Sequence, residues 1–105
     1  MYIYIMTEPM KKAIELSIEN VVSGNGGPFG CVIVSEDNSI ISIGQNEVTK
    51  TNDPSAHAEI VAIRNACKKQ NTPFLKNCTI YSSCEPCPMC YGAIKWAKID
   101  KTTIQ

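Results

Sequence analysis

Ser83-Cys84-Glu85-Pro86-Cys87-Pro88-Met89-Cys90 follows a short strand pattern, Cys78-Thr79-Ile80-Tyr81, and leads into a helical one that extends to about Ala97. Pro86 stands where such a helix opens. A C-x-x-C pair at a helix start, here Cys87 and Cys90, lets both sulfurs reach one metal ion. The positive end of the helix dipole favours the thiolate, which is the ligating form. Strands alternating with helices in this way point to an α/β or α+β domain.

Towards the N-terminus, Asn52-Asp53-Pro54-Ser55 reads as a second helix start, with Pro54 near the first helical position. The helix it opens, from about Ala56 to Lys69, is apolar on much of its circumference and so is expected to be buried on more than one side. Its first turn carries His57, the only histidine of the chain, and Glu59. Taken as one set, His57, Cys87 and Cys90 offer an imidazole and two thiolates, which suit zinc better than magnesium or calcium. Three protein ligands leave a fourth position open, the mark of a catalytic zinc, where water can reach a pKa of about 7. Glu59, two residues after His57, is placed to lie over that water, take its proton and pass it to a leaving group.

Each half of this pattern has a plainer reading. A lone histidine is commonly structural, H-x-E is a frequent tripeptide, and C-x-x-C alone is redox-active or structural in many proteins. Both halves opening helices in one chain is what makes the combination specific for zinc. Cys84 completes an even spacing, Cys84-x-x-Cys87-x-x-Cys90, which with His57 could close a structural Cys3His zinc site or hold an iron–sulfur cluster. Against that reading, Cys84 falls at a strand end where Pro86 redirects the chain, and a closed site has no use for Glu59. Cys31, Cys67 and Cys78 fall on apolar stretches and are expected in the core.

Further out, a first helix is expected from about Glu8 to Ser23, capped by Thr7 with Pro9 in its first turn. Met10, Ala13, Ile14, Ser17, Ile18, Val21 and Val22 form its apolar stripe, and Gly24-Asn25-Gly26-Gly27-Pro28 stops it. Phe29 to Val34 and Ile40 to Gly44 read as two strands of a hairpin around the turn residues Glu36-Asp37-Asn38-Ser39. Lys101-Thr102-Thr103-Ile104-Gln105 begins a last strand, so either the sheet has an unprotected edge or the sequence is a shortened form of a longer one.

Composition sets the outer bounds. A chain of 105 residues has room for one core, so residues 1–105 form a single domain. Ten basic and ten acidic residues give no net charge, which argues against a partner gripped by its phosphates. Six cysteines without a secretory signal favour metal over a disulfide framework. No apolar run approaches the roughly 20 residues of a membrane span. The apolar residues 1–6 lack the basic flank and cleavage site of a signal peptide. A cytoplasmic protein with no membrane role is expected.

The two clusters resemble the zinc-dependent cytidine deaminase superfamily, whose signature joins H-x-E to P-C-x-x-C. Here these are His57-Ala58-Glu59 and Pro86-Cys87-Pro88-Met89-Cys90. Gly26-Gly27-Pro28-Phe29-Gly30, Asn52 through Glu59 and Ser83 through Cys90 look like the guanine deaminase branch, a resemblance that runs from the first helix onward. It implies a three-layer α/β/α sandwich with a mixed sheet and both zinc helices on one face. It implies Zn2+ held by His57, Cys87 and Cys90, and a hydrolytic deaminase converting guanine to xanthine and ammonia. Glu59 would deprotonate the zinc water, the hydroxide would attack C2, and Glu59 would return the proton to a ring nitrogen and the departing amine. By the same similarity Asn46 would hydrogen-bond the base, the Ala58 N–H would help hold it, Phe29 would line the pocket, and the Glu85 carbonyl would accept from the reacting centre. Asn46 as a plain turn residue and Phe29 as a core residue stay open as alternatives.

The related tRNA adenosine deaminases share H-A-E and P-C-x-x-C but usually carry a basic C-terminal helix and a Val-like residue where Pro88 stands. Zero net charge and Pro88 point to a free base, with the small cytosine deaminases a further possibility. Members usually continue past the position of Gln105 for another strand and one or two helices. That segment caps the substrate and can be exchanged within a homodimer. The last strand or strands and the C-terminal helices are therefore expected to be missing here. A zinc-binding chain without turnover is the non-enzymatic alternative.

Overall fold

The computed structural model describes residues 7–105, and the apolar residues 1–6 lie outside them. In chain order the elements are α1 (Glu8–Val22), β1 (Gly30–Val34), β2 (Ile40–Gln45), α2 (Val48–Thr51), α3 (Ala58–Gln70), β3 (Thr79–Ser82), α4 (Pro88–Trp96) and β4 (Lys101–Ile104). The strands form one sheet in the order β2-β1-β3-β4. β1 runs antiparallel to both β2 and β3, and β3 runs parallel to β4. The sheet is therefore mixed, with the expected hairpin at one side and β4 at the opposite edge.

β1 explains the three layers. Cys31 and Ile33 join Ile41, Ile80, Ala58, Ala62, Ala66 and Ile94 in a core between the sheet and the pair α3/α4. Val32 and Val34 alternate with them and pack against Met10, Ala13 and Leu16 of α1. A strand covered on both faces has no solvent side to mark with polar residues, hence the unbroken apolar run Cys31–Val34. The result is the α/β/α sandwich expected from the resemblance.

Two glycines set how closely the layers approach. A Cβ at Gly30 would run into the Ala13 carbonyl oxygen and stand 2.8 Å from both Leu16 Cβ and Ser17 N. A Cβ at Gly44 would run into the Ala58 carbonyl oxygen and stand 2.6 Å from Ala62 N. The atoms in the way are mainly backbone, so they cannot rotate aside. Gly44→Ala is expected to cost about 1–3 kcal/mol of stability by forcing α3 away from β2. A lowered urea midpoint at constant slope would register it, and reduced zinc retention would accompany it because His57 and Glu59 move with the start of α3.

The structure corrects the expected face of α1. Met10, Ala13, Leu16, Ser17 and Asn20 are buried, whereas Ile18, Val21 and Val22 are exposed, Val22 to 81%. At about 100° per residue, the buried face is turned by roughly a quarter turn from the expected stripe. The cause is the close approach at Gly30, which seats the Ala13–Leu16–Ser17 face on β1. Thr7 is the N-cap residue but makes no side-chain cap bond.

Asn52–Ser55 is a turn rather than a helix start, and α3 begins at Ala58. The turn closes because the Asp53 carboxylate accepts from the Ser55 N–H and hydroxyl two residues on. The one-turn helix α2 has no apolar periodicity to announce it and caps out at Asn52 in the left-handed region. Pro88, not Pro86, is the first residue of α4.

Candidate metal centre

The first turns of α3 and α4 supply the three expected ligands. His57 is the N-cap residue of α3 and Cys87 that of α4, both in extended conformation, and neither side chain caps its own helix. Both are left to reach towards a common point. Cys90 follows one turn into α4, which brings its sulfur alongside that of Cys87. The Cys87 and Cys90 Sγ atoms are 3.6 Å apart, and each lies 3.6 Å from His57 Nδ1.

This triangle fits zinc. With bonds of about 2.3 Å to sulfur and about 2.0 Å to nitrogen, edges of that length subtend roughly 103–113° at the ion, close to tetrahedral. Among the described residues, His57, Cys87 and Cys90 are the group brought within reach of one metal ion. Cys84 is exposed and directs its thiol to the Glu85 carbonyl oxygen at 3.7 Å, outside the triangle. The donor set therefore leaves a fourth position open.

Two positive helix ends face this centre. Burial foremost, then the neighbouring Glu59 carboxylate, pushes the Cys90 thiol up in the absence of metal. The same causes, in the same order, push up the thiol of Cys31, which is wholly buried in β1. Cys31 and Cys78 are core residues as expected, and Cys67 is partly buried beside them.

The approaches to both ligands are tied down. The Asp53 carboxylate accepts from Ser55 N–H at 2.9 Å, from Ser55 Oγ at 2.7 Å and from Arg64 at 3.2 Å. The Ser55 hydroxyl chiefly, with these other donors, holds the Asp53 carboxyl below the usual range. His57 N–H then donates to the Ser55 carbonyl at 2.8 Å, and Glu47 N–H to that of Ala56 at 2.9 Å. On the other side, Ser82 Oγ donates to the Cys84 carbonyl at 2.6 Å, and Ser83 exchanges hydrogen bonds with Gly30.

A cavity of about 200 Å³ opens on the centre and is lined by His57, Glu59 and Cys87 together with Phe29, Asn46, Cys84 and Glu85. That is below the ~300–1,000 Å³ typical of drug-sized ligands, a volume for one small ring system. Phe29 is 37% exposed and belongs to this wall rather than to the core. Asn46 is turn residue and cavity wall at once: its Oδ1 accepts from Val48 N–H at 3.1 Å, which leaves Nδ2 as the group it can offer. The Ala58 side chain is in the core and does not line the cavity. As the first residue of α3, its N–H lacks an intrahelical acceptor.

Asn20 is missing from the sequence reading. Its side chain donates to the carbonyls of Gly27 and Asn46. A polar residue at the end of an apolar helix reads as solvent-facing. The available signal was its place one turn before a Gly-rich stretch, where a carboxamide finds unpaired carbonyls.

Fold and donor set together define a metalloprotein domain built on an open His/Cys2 zinc centre beside a small cavity. Residues 5–105 match the model of the cytidine and deoxycytidylate deaminase zinc-binding region, and the chain belongs to that family. It is 57% identical over 89 residues to the guanine deaminase of Bacillus subtilis (strain 168), an alignment covering 85% of this chain and 56% of that protein. It is 45% identical over 74 residues to a tRNA-specific adenosine deaminase of Aquifex aeolicus (strain VF5), covering 70% and 48%. The crystal structure of guanine deaminase from Bacillus subtilis superposes with a TM-score of 0.91 at 51% identity, over 95% of this chain and 64% of that one. The chain thus spans about half the length of these relatives. No helix among the described residues is long and apolar enough to cross a membrane.

Proposed function

We propose that residues 1–105 form one zinc-dependent deaminase domain that hydrolyses guanine to xanthine and ammonia. The observation that carries this reading is Glu59: a buried carboxylate, two residues from His57, lining the same cavity as the His57/Cys87/Cys90 triangle. The 57% identity to a guanine deaminase supports the choice of base. Zinc, when bound, supplies Lewis acidity that makes water a nucleophile near neutral pH.

The chain's own residues do the rest. Glu59 accepts one proton from the attacking water and delivers it to a ring nitrogen, then takes the second from the hydroxyl now on C2 and delivers it to the departing amine, so water and guanine become xanthine and ammonia. Asn46 presents Nδ2 as a donor, which suits an acceptor atom on the rim of a purine. The Ala58 N–H, free of the helix ladder, offers a second donor, and the Glu85 carbonyl an acceptor. Phe29 gives the ring an aromatic wall and keeps water from its face.

The same reading makes the protein a cytoplasmic homodimer. Trp96 and Met89, both exposed on α4, offer apolar surface to a second copy.

Ammonia release from guanine by the purified, zinc-loaded chain is the test, run beside cytosine and an adenosine-34 tRNA. Release from guanine alone is expected. Release from tRNA, steeply suppressed by salt, would assign the chain to the editing deaminases instead. Bound zinc with no release from any substrate would leave a zinc-binding domain without turnover.

A further inference from the structure

We propose that Asn20 is a positioning residue for base binding, holding Asn46 and the loop that carries Phe29 in a fixed relation to each other in the cavity wall. The inference rests on the reading of that cavity as the base site. Asn20 lies in the last turn of α1, is 2% exposed, and contributes no atom to the cavity lining. Its Nδ2 donates to the Gly27 carbonyl at 2.9 Å and to the Asn46 carbonyl at 2.9 Å. The Gly27 carbonyl also accepts from Phe29 N–H at 2.9 Å, and the Phe29 carbonyl accepts from Asn46 N–H at 3.4 Å. The four residues form a closed ring of hydrogen bonds, Asn20 to Gly27 to Phe29 to Asn46 and back to Asn20.

Two of the four, Phe29 and Asn46, are neighbouring pieces of the cavity wall at the end of the β1/β2 hairpin, and Asn20, which does not line the cavity, bonds to the chain at both. There is no slack in the joint. A Cβ added at Gly26 would stand 2.5 Å from the Asn46 carbonyl oxygen and 2.9 Å from Asn20 Nδ2. A buried carboxamide is costly to desolvate, and an apolar residue would fill the same helix face without that cost. What an apolar residue could not do is fix two main-chain carbonyls relative to each other. Asn46 is held at its third point by Val48 N–H on Oδ1, so its Nδ2 direction follows from where its backbone is clamped.

The test uses the full zinc-loaded chain and two variants. Asn20→Asp keeps the size and removes both donors, and Asn20→Ala removes the group without placing a charge against the carbonyls. The expected result is a KM for guanine raised about tenfold or more, as befits loss of a buried hydrogen-bond pair, with kcat within about threefold and zinc content unchanged. Met10→Ala, on the same helix and remote from the cavity, is the control, expected to lower stability and leave KM alone. A purely structural role for Asn20 predicts the Met10→Ala pattern, and an unchanged KM in a folded Asn20 variant overturns the proposal. If the unmodified chain releases no ammonia from guanine, the functional reading fails separately, and the ring is read by amide NMR of Asn20→Ala. Joint shifts of the Phe29 and Asn46 resonances larger than those of His57 and Glu59 support it, and their absence refutes it.

Discussion

Glu59→Gln is expected to retain zinc and bind guanine, and to release ammonia at least about 10³-fold more slowly than the unmodified chain. Glutamine has nearly the same volume, so the buried position in the first turn of α3 stays filled. It also removes a negative charge from beside the buried thiols of Cys31 and Cys90, so no loss of folding is expected from electrostatics. What it cannot do is accept the proton of the attacking water. A single positioned proton transfer contributes typically about 10²–10⁴-fold, and Glu59 is assigned more than one, which puts the expected loss in the upper part of that range. An enzyme-coupled ammonia assay with parallel metal analysis checks it. A rate within tenfold of the parent at full zinc content would remove Glu59 from the mechanism.

The second large effect separates an open metal centre from a closed one. Cys87→Ser is expected to lower zinc from about one ion per chain to almost none after dialysis, because it removes one of three protein ligands. Cys84→Ser is expected to leave the content unchanged, since the Cys84 sulfur points to the Glu85 carbonyl and not into the triangle. Thermal melts with and without a chelator give a second readout. A bound metal at 100 to 1,000 times its dissociation constant stabilises by about 2.7–4.1 kcal/mol, so chelation should lower the parent midpoint and leave Cys87→Ser unmoved. Loss of zinc from Cys84→Ser would mean that the centre is closed by a fourth protein ligand and has no place for water.

The metal centre was legible because its information is local. Cys87 and Cys90 are one helical turn apart, and His57 and Cys87 both stand where helices open, so spacing sufficed even though the start signals fell two residues early. The sheet was legible for the opposite reason: an apolar run as long as Cys31–Val34 between turn residues has few homes other than a strand covered on both faces. The orientation of α1 was not legible. It depends on the missing side chain at Gly30, thirteen or more residues away from the Ala13–Ser17 face it admits. Ile18, Val21 and Val22 are as apolar as the residues that were buried, and pattern alone could not choose between two faces. The turn at Asn52–Ser55 and the clamp at Asn20 escaped for a related reason. Both are side-chain bonds to main-chain carbonyls or amides whose location depends on the folded chain.

The two N-cap ligands also give the ion a topological role. His57 and Cys87 lie 30 positions apart (87 − 57), with all of α3 and β3 between them. An ion held by both ends turns that stretch into a closed loop, and closing a loop of that size removes chain entropy from the unfolded ensemble worth roughly 3–4 kcal/mol by analogy with a covalent cross-link. α1, β1 and β2 lie outside the loop. The ion therefore acts as a reversible staple on one half of the molecule, and the half carrying the hairpin is held by packing, by strand pairing and by side-chain clamps such as Asn20.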